Sequence, residues 1–409
     1  MRPRRYQLTK QATAIIGRGH PWIFRDQLSS AASVFHDGDW LSLVDGQNRV
    51  VAHGIYEAEG AIAIRVLRRG PERPDAAWLR GQLAAALARR APLAARTDGI
   101  RLVHGESDGI PAVVVDRFGD TLVATSYSAG ADALARYAAL ALSAPAADAS
   151  AATGITAAIV RPAHRRLARA AVPAPRAVRG TPPELTRFTE DGLPFSVDLL
   201  LGQKTGTYLD LRGLRRAVAT APLAGARVLN LFAYTGMLGR AAEAAGASSI
   251  VQVDASERAL AFAAAHHVAD PARHQFVTAD VLAWLPAQPP PSDAGFDLVI
   301  VDPPSMTSRK TQVPAVLAAY RKLYRAAARQ VRPGGAVVAA CCTSRVSRAA
   351  FHHVVRESLG ADFTLERELP TEPDHPVGFP EADYLKIAWW RRTAAAAAPH
   401  SGLPPSPAI

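Results

Sequence analysis

Only two of the 409 residues are cysteine, and they are adjacent, Cys341 and Cys342, so a disulfide framework of the secreted kind is excluded. Long uncharged runs are missing as well. No stretch reaches the roughly 18 to 20 uncharged apolar residues of a membrane span, because the Ala-rich stretches carry charged residues, mostly Arg, at intervals. The start, Met1-Arg2-Pro3-Arg4-Arg5-Tyr6, is basic but leads into polar residues instead of the apolar core of a signal peptide. A reducing cytoplasm, with no membrane association, is the expectation. Acid is short relative to base: 36 Asp and Glu face 47 Lys and Arg, five of them Lys, for a formal charge of +11. Such a balance is the electrostatic footprint of a nucleic-acid partner, and an arginine-biased composition is the alternative source of it. With 49% hydrophobic and 20% charged residues, the chain is long enough for two or three packed domains and is not a disordered one.

Up to about residue 70, short period-two segments alternate with turn residues: Trp40 to Val44 leads into Asp45-Gly46, followed by Arg49 to Tyr56 and Ile62 to Leu67. This pattern predicts a small antiparallel β module over 1–72, closed by a Gly- and Pro-bearing linker. From Asp75 to about Arg96 the spacing of Trp78, Leu79, Leu83 and Leu87 predicts a helix that opens a central α+β domain over 73–185. Two strands, ending near Asp116 and Thr125, follow. The Arg-, Pro- and Ala-rich stretch 161–184 reads as a solvated connection. Beyond it, over 186–392, apolar strands alternate with helices, which predicts a mostly parallel α/β sheet with its ligands at the carboxyl ends of the strands. Residues 393–409 carry no periodicity and read as a disordered tail.

Within the alternating region, chemistry-bearing residues fall at strand ends. The strand Arg227 to Phe232 runs into a Gly236 turn, and Asp254 closes the next strand eighteen positions after that glycine. A glycine turn between a strand and a helix, with an acid ending the second strand, is the pattern of a nucleoside site in which the carboxylate accepts from ribose hydroxyls. The turn lacks the full G-x-G-x-x-G set. That disfavours a dinucleotide; S-adenosylmethionine, which has no pyrophosphate to cradle, tolerates the looser turn, and an ordinary α/β loop is the alternative. Asp280 ends a third strand, within reach of an adenine amino group. Asp302 ends a fourth and is followed by Pro303 and Pro304, which stop the strand and stiffen a loop suited to walling a target base. Ser305 stands where amino-group methyltransferases commonly stack an aromatic residue, so transfer to a ring amino group is disfavoured. A fifth strand runs directly into Cys341-Cys342, which puts a thiol on the same edge as Asp302. Either the thiol is a small apolar filler or it is a nucleophile: methylating C5 of a pyrimidine requires a thiolate to add to C6 first. The histidine pair His266-His267 has no Cys at metal-ligand spacing, so it reads as surface and no metal site is expected.

With these residues in view, the chain resembles the bacterial S-adenosylmethionine-dependent large-subunit ribosomal RNA cytosine-C5 methyltransferases, which carry an N-terminal PUA domain, a central domain and a Rossmann-like catalytic domain. The likeness rests on Gly19-His20-Pro21-Trp22-Ile23-Phe24, on Gly105 to Pro111, on Gly202-Gln203-Lys204-Thr205-Gly206-Thr207-Tyr208-Leu209-Asp210, and on Asp374-His375-Pro376-Val377-Gly378-Phe379-Pro380 followed by Tyr384-Leu385-Lys386. The resemblance implies that Lys204, Thr205, Gly206 and Tyr208 lie beside the cofactor with Phe232, Gly236, Asp254, Asp280 and Asp302. It implies that Cys342 is the nucleophile and Asp302 its catalytic partner, with Pro303, Pro304 and His375 lining the base pocket; for His375 a core or capping role is equally open. It implies large-subunit ribosomal RNA as partner, and leaves a homodimer open. Ser305, Met306 and Cys341 depart from the family's usual residues, which bears on base contacts and target. Two other functions share these features: an RNA methyltransferase acting on another atom, such as a guanine nitrogen, and a non-catalytic RNA-binding assembly factor.

Overall fold

The computed structural model describes residues 4–144, 154–163, 174–199, 206–291, 295–307 and 309–394. Its contacts divide the chain into two compact units, one running to Arg216 and including Thr371–Asp383, the other formed by Ala217–Pro370 and the residues from Tyr384 onward.

The first unit opens with β1 (Arg4–Gln7), α1 (Lys10–Gly17), β2 (Trp22–Phe24), β3 (Trp40–Val44), β4 (Val50–Tyr56) and β5 (Ile62–Arg69), in sheet order β1-β3-β4-β5-β2. The turn after β3 forms because the Asp45 carboxylate accepts from Gln47 N and Arg49 N, both at 2.9 Å. The module departs from the antiparallel expectation at one edge, where β1 pairs parallel with β3. Alternation within a strand reports which face is buried and carries no information about the direction of its partner.

A second sheet, in order β10-β9-β8-β7-β6, comprises β6 (Gly99–His104), β7 (Val113–Phe118), β8 (Thr121–Ser126), β9 (Ala157–Pro162) and β10 (Arg176–Arg179), with helices α2 (Ala76–Ala94) and α3 (Asp132–Ser143). Asp75 caps α2, accepting from Trp78 N at 2.7 Å. The buried stripe of α2 is Leu79, Leu83, Ala86, Arg90 and Leu93. Leu87 does not belong to it: it lies 39% exposed, because the stripe steps from 83 to 86 and 90. The connection expected over 161–184 also needs correction. Its start belongs to β9, and Arg176–Arg179 form the edge strand β10, where Arg176 is exposed to solvent. A hairpin, β11 (Thr186–Glu190) and β12 (Leu193–Val197), turns at Asp191 and Gly192, both at positive φ, as a two-residue turn requires. After it, α4 (Arg212–Ala219) leads out of this unit.

The second unit is the α/β sheet that the alternation predicted. Its strands are β13 (Arg227–Leu231), β14 (Ser249–Asp254), β15 (His274–Thr278), β16 (Phe296–Val301), β17 (Val331–Cys341), β18 (Phe363–Leu369) and β19 (Lys386–Arg392), in order β15-β14-β13-β16-β17-β19-β18. The five strands β13 to β17 are mutually parallel, and β19 runs antiparallel to both its neighbours. The intervening helices are α5 (Met237–Ala244), α6 (Glu257–His266), α7 (Val281–Ala287), α8 (Val313–Gln330) and α9 (Arg348–Leu359). Strands such as Leu298 to Val301 and Ala336 to Cys341 are buried throughout, the signature of a parallel sheet covered on both faces. Among the described residues no helix is long and apolar enough to cross a membrane.

Candidate active site

Because β13 to β17 are parallel and in register, their carboxyl ends share one edge. Leu231 lies beside both Val253 and Val301, and Val301 beside Ala339. Phe232, Asp254, Asp280, Asp302 and Cys342 therefore all emerge on that edge, as the sequence predicted.

The turn after β13 is held in an uncommon backbone conformation. Phe232, Tyr234 and Gly236 have φ of 58°, 48° and 74°, and only the last is glycine. Left-handed non-glycine residues persist only where their surroundings overdetermine them. Here the determinants are visible. Ala233 N donates to Val253 O at 3.0 Å, and the Asp254 carboxylate receives Tyr234 N at 2.9 Å through one oxygen and Ser256 N at 2.8 Å through the other. Asp254 thus clamps two loops together, and with about four lone-pair positions a carboxylate keeps capacity for ribose hydroxyls. Beneath the turn, Gln252 is fully buried, with Asn230 Nδ2 donating to its Oε1 at 3.2 Å and His274 Nδ1 at 3.0 Å from its Nε2. Gly236 and Gly239 sit against that side chain. A strained turn, a half-buried ring at Phe232 and an acid half-exposed at a strand end form a donor set that fits the nucleoside and sulfonium of S-adenosylmethionine. Asp280 is exposed at the next strand end and caps α7, accepting from Leu282 N at 3.0 Å.

The other half of the edge concerns the thiols. Neighbouring strand positions face opposite ways, and the two cysteines separate accordingly. Cys341 is fully buried against Tyr320, whose hydroxyl lies 3.5 Å from its sulfur. Cys342 is half-buried, its Sγ 3.7 Å from the carbonyl oxygen of Pro303, the residue following Asp302. Pro303 is buried and Pro304 exposed.

Thr343, which the sequence reading passed over, ties these pieces together. Its Oγ1 accepts from Met306 N at 3.3 Å and lies 3.3 Å from the Tyr320 hydroxyl, while its carbonyl accepts from the Lys386 ammonium at 3.2 Å. Burial first, then the neighbouring Cys341, pushes the Tyr320 phenol up, so it serves as a hydroxyl and never as a phenolate. Lys386 is itself 2% exposed and also donates to Tyr384 O at 2.9 Å. The sequence showed it only as the end of the resembling segment Tyr384-Leu385-Lys386, ahead of the apolar run Ile387 to Trp390, without a role.

Other expected site residues belong to the first unit. Lys204 and Thr205 lie outside the described residues, as do residues 395–409 of the expected tail. Gly206 is buried at φ +108°, where a side chain would strike Val197, and Tyr208 is half-buried. His375 is buried, 2.9 Å from the Asp374 carboxylate through Nδ1, with its ring centroid 5.1 Å from that of His104; among the described residues its Nε2 has no hydrogen-bond partner. The Asp374 carboxyl would be raised by burial alone. The adjoining His375 and Arg212 outweigh that and hold it far below the usual carboxylate range. The surface reading of the histidine pair holds for His266 only. His267 is 1% exposed and hydrogen-bonds the Thr235 carbonyl through Nδ1, since the last turn of α6 packs beneath the Gly236 turn.

Comparisons with known proteins agree with this geometry. The family model for S-adenosylmethionine-dependent methyltransferases matches residues 121–387, and that for a PUA-like domain matches residues 7–69. A ribosomal RNA large subunit methyltransferase of Deinococcus radiodurans is 35% identical over 94% of this chain and 96% of its own length. Ribosomal RNA large subunit methyltransferase I of Klebsiella pneumoniae is 31% identical over 93% and 96%. Among solved structures, a methyltransferase complexed with SAH superposes with a TM-score of 0.78 at 21% identity, covering 95% of this chain and all of the other.

Proposed function

Because the chain belongs to the S-adenosylmethionine-dependent methyltransferase family and carries a PUA-like domain, we propose that it methylates C5 of a cytidine in large-subunit ribosomal RNA through Cys342. The relatives' names support the RNA class. The observation that carries the atom is the position of the Cys342 thiol, 3.7 Å from the Pro303 carbonyl and beside Asp302, while its neighbour Cys341 is spent in the core. A filler cysteine has no reason to leave the core at a strand end.

S-adenosylmethionine supplies an electrophilic methyl group on this edge. The rest falls to the chain. The Cys342 thiolate forms a bond to C6, and the C5–C6 π pair moves to C5, making it a nucleophile. Asp302 hydrogen-bonds the cytosine N3 and amino edge during addition. Once C5 carries the methyl group, a base takes the C5 proton, the pair re-forms the C5–C6 double bond, and the thiolate leaves. Lys204, Thr205, Gly206 and Tyr208 are assigned to the cofactor with Phe232, Gly236, Asp254 and Asp280. Pro303, Pro304 and His375 are assigned to the base. In this reading residues 1–72 dock RNA through phosphate and shape contacts, 73–185 bridge, and 186–392 bring the catalytic groups, with the cytidine flipped out of its stack.

The test is nucleoside mass spectrometry of unmodified large-subunit ribosomal RNA incubated with the protein and methyl-labelled S-adenosylmethionine, beside Cys342→Ala. Label in 5-methylcytidine that vanishes in the variant is the expected result. Label in another nucleoside, or label that survives the variant, overturns the C5 assignment in favour of another target atom. Absence of label from both naked RNA and ribosomal particles points to an assembly factor.

A further inference from the structure

Lys386 is out of place by ordinary rules. A lysine is almost never fully buried, since removing an ammonium from water costs several kcal/mol unless the surroundings repay it. This one is 2% exposed, at the first position of β19, directly opposite Cys341 in the β17–β19 ladder. Its Nζ donates to the carbonyl oxygens of Thr343 and Tyr384, so a positive charge is anchored on the Thr343–Ser344 peptide, one residue beyond Cys342.

Among the described residues, the titratable and charged groups on the elements flanking Cys342 come from four of them besides β19. Asp302 follows β16. Tyr320 and Tyr324 belong to α8, and burial first, then nearby groups including the cysteines, pushes both phenols up, so they remain neutral. Cys341 ends β17 just before it, Arg345 follows in the same loop and is exposed, and Arg348 of α9 lies 3.5 Å from the Leu385 carbonyl. Lys386, on β19, is by contrast a cation held inside the protein by two backbone acceptors. A cation in a low-dielectric setting favours a nearby anion far more than one in water does.

We infer that Lys386 is a positioning residue for the methyl transfer proposed above: its buried ammonium stabilises the Cys342 thiolate and, through the Thr343 carbonyl, holds the residue after Cys342 where its hydroxyl ties the loop that follows Asp302. The inference rests on the reading of Cys342 as nucleophile, yet its test does not pass through methyl transfer. The full chain is alkylated with iodoacetamide across pH 5 to 10, with Cys342→Ala as background, since Cys341 is inaccessible in the fold. The variant Lys386→Met keeps the stem and removes the charge; Lys386→Arg restores it.

Lys386→Met is expected to move the alkylation midpoint upward by about one pH unit and slow the reaction at pH 7 by about tenfold, with Lys386→Arg recovering most of that rate. An unchanged midpoint in a folded Lys386→Met protein overturns the inference and leaves Lys386 a mere staple. If Lys386→Met does not fold, the parent decides: a midpoint at or above the ordinary thiol value of about 8.5 overturns the inference, and one well below it, retained in Lys386→Arg, supports it. Methylation is measured alongside. A shifted midpoint together with full methylation by Cys342→Ala would sustain the charge effect on the thiol and remove the nucleophile reading, so the two failures are distinguishable.

Discussion

Gly239 shows how one residue's environment can reverse an intrinsic preference. It stands inside α5, where Ala should stabilise by about 1 kcal/mol through helix propensity alone. A Cβ there would overlap the side-chain amide of Gln252, which is fully buried and held by Asn230 and His274. Gln252 therefore cannot step aside without breaking two buried hydrogen bonds. Gly239→Ala is expected to destabilise by about 1–3 kcal/mol, read as a lowered urea midpoint; a raised midpoint would show that the amide relaxes freely. Cys342, Asp302 and Asp254 were legible in the sequence because a residue type and a strand end coincide there. The roles of Thr343, Gln252 and Lys386 were not, although Lys386 stood in a resembling segment. Their importance comes from which neighbours the register delivers to them, and no spacing along the chain encodes that.

At the scale of elements, the alternation of apolar strands and helices was enough to predict β13, β14, β16 and β17, since a strand buried on both faces is apolar without interruption. Edge and connecting pieces were harder to read: β10 is a run of Arg, Ala and Val, and β9 ends in Arg-Pro. Polar edges of a sheet and true loops have the same composition, so only pairing tells them apart. The loops after β13 and β14 act as one element because Asp254 accepts from both. Asp254→Asn keeps the size but turns an acceptor oxygen into a donor that faces a backbone N–H. The expected result is a ten- to hundredfold loss of affinity for S-adenosylhomocysteine by isothermal titration, about the value of a charged hydrogen bond; unchanged affinity would mean that the carboxylate serves the loops alone.

For the molecule as a whole, ionisation sets how stability varies with acidity. His104 is pushed down to about 2 by burial first, then by Arg101 and other nearby cations, and Arg101 Nη1 lies 3.2 Å from its Nδ1, which fits the neutral ring as acceptor. A histidine depressed in the fold takes up a proton only on unfolding, so its contribution is complete above the unfolded value of about 6.5 and is lost as pH falls below it. Stability measured by urea unfolding should drop by about 1.4 kcal/mol per pH unit per such histidine below pH 6.5, before depressed carboxylates such as Asp374 begin to contribute below about 4. His104→Gln should flatten that slope; an equal slope in the variant would assign the loss to other groups. The first unit has another property that follows from its ion pairs. Buried Arg212 meets Asp374 at 2.9 Å and partly exposed Arg216 meets Glu372 at 2.6 Å, the latter across 156 residues of chain, while Arg90 Nη2 donates to the Asp374 carbonyl across 284. On a ribosome synthesising this chain, those arginines emerge long before these late partners exist, so the unit begun first is completed only when residues 371–383 have been made, after most of the second unit.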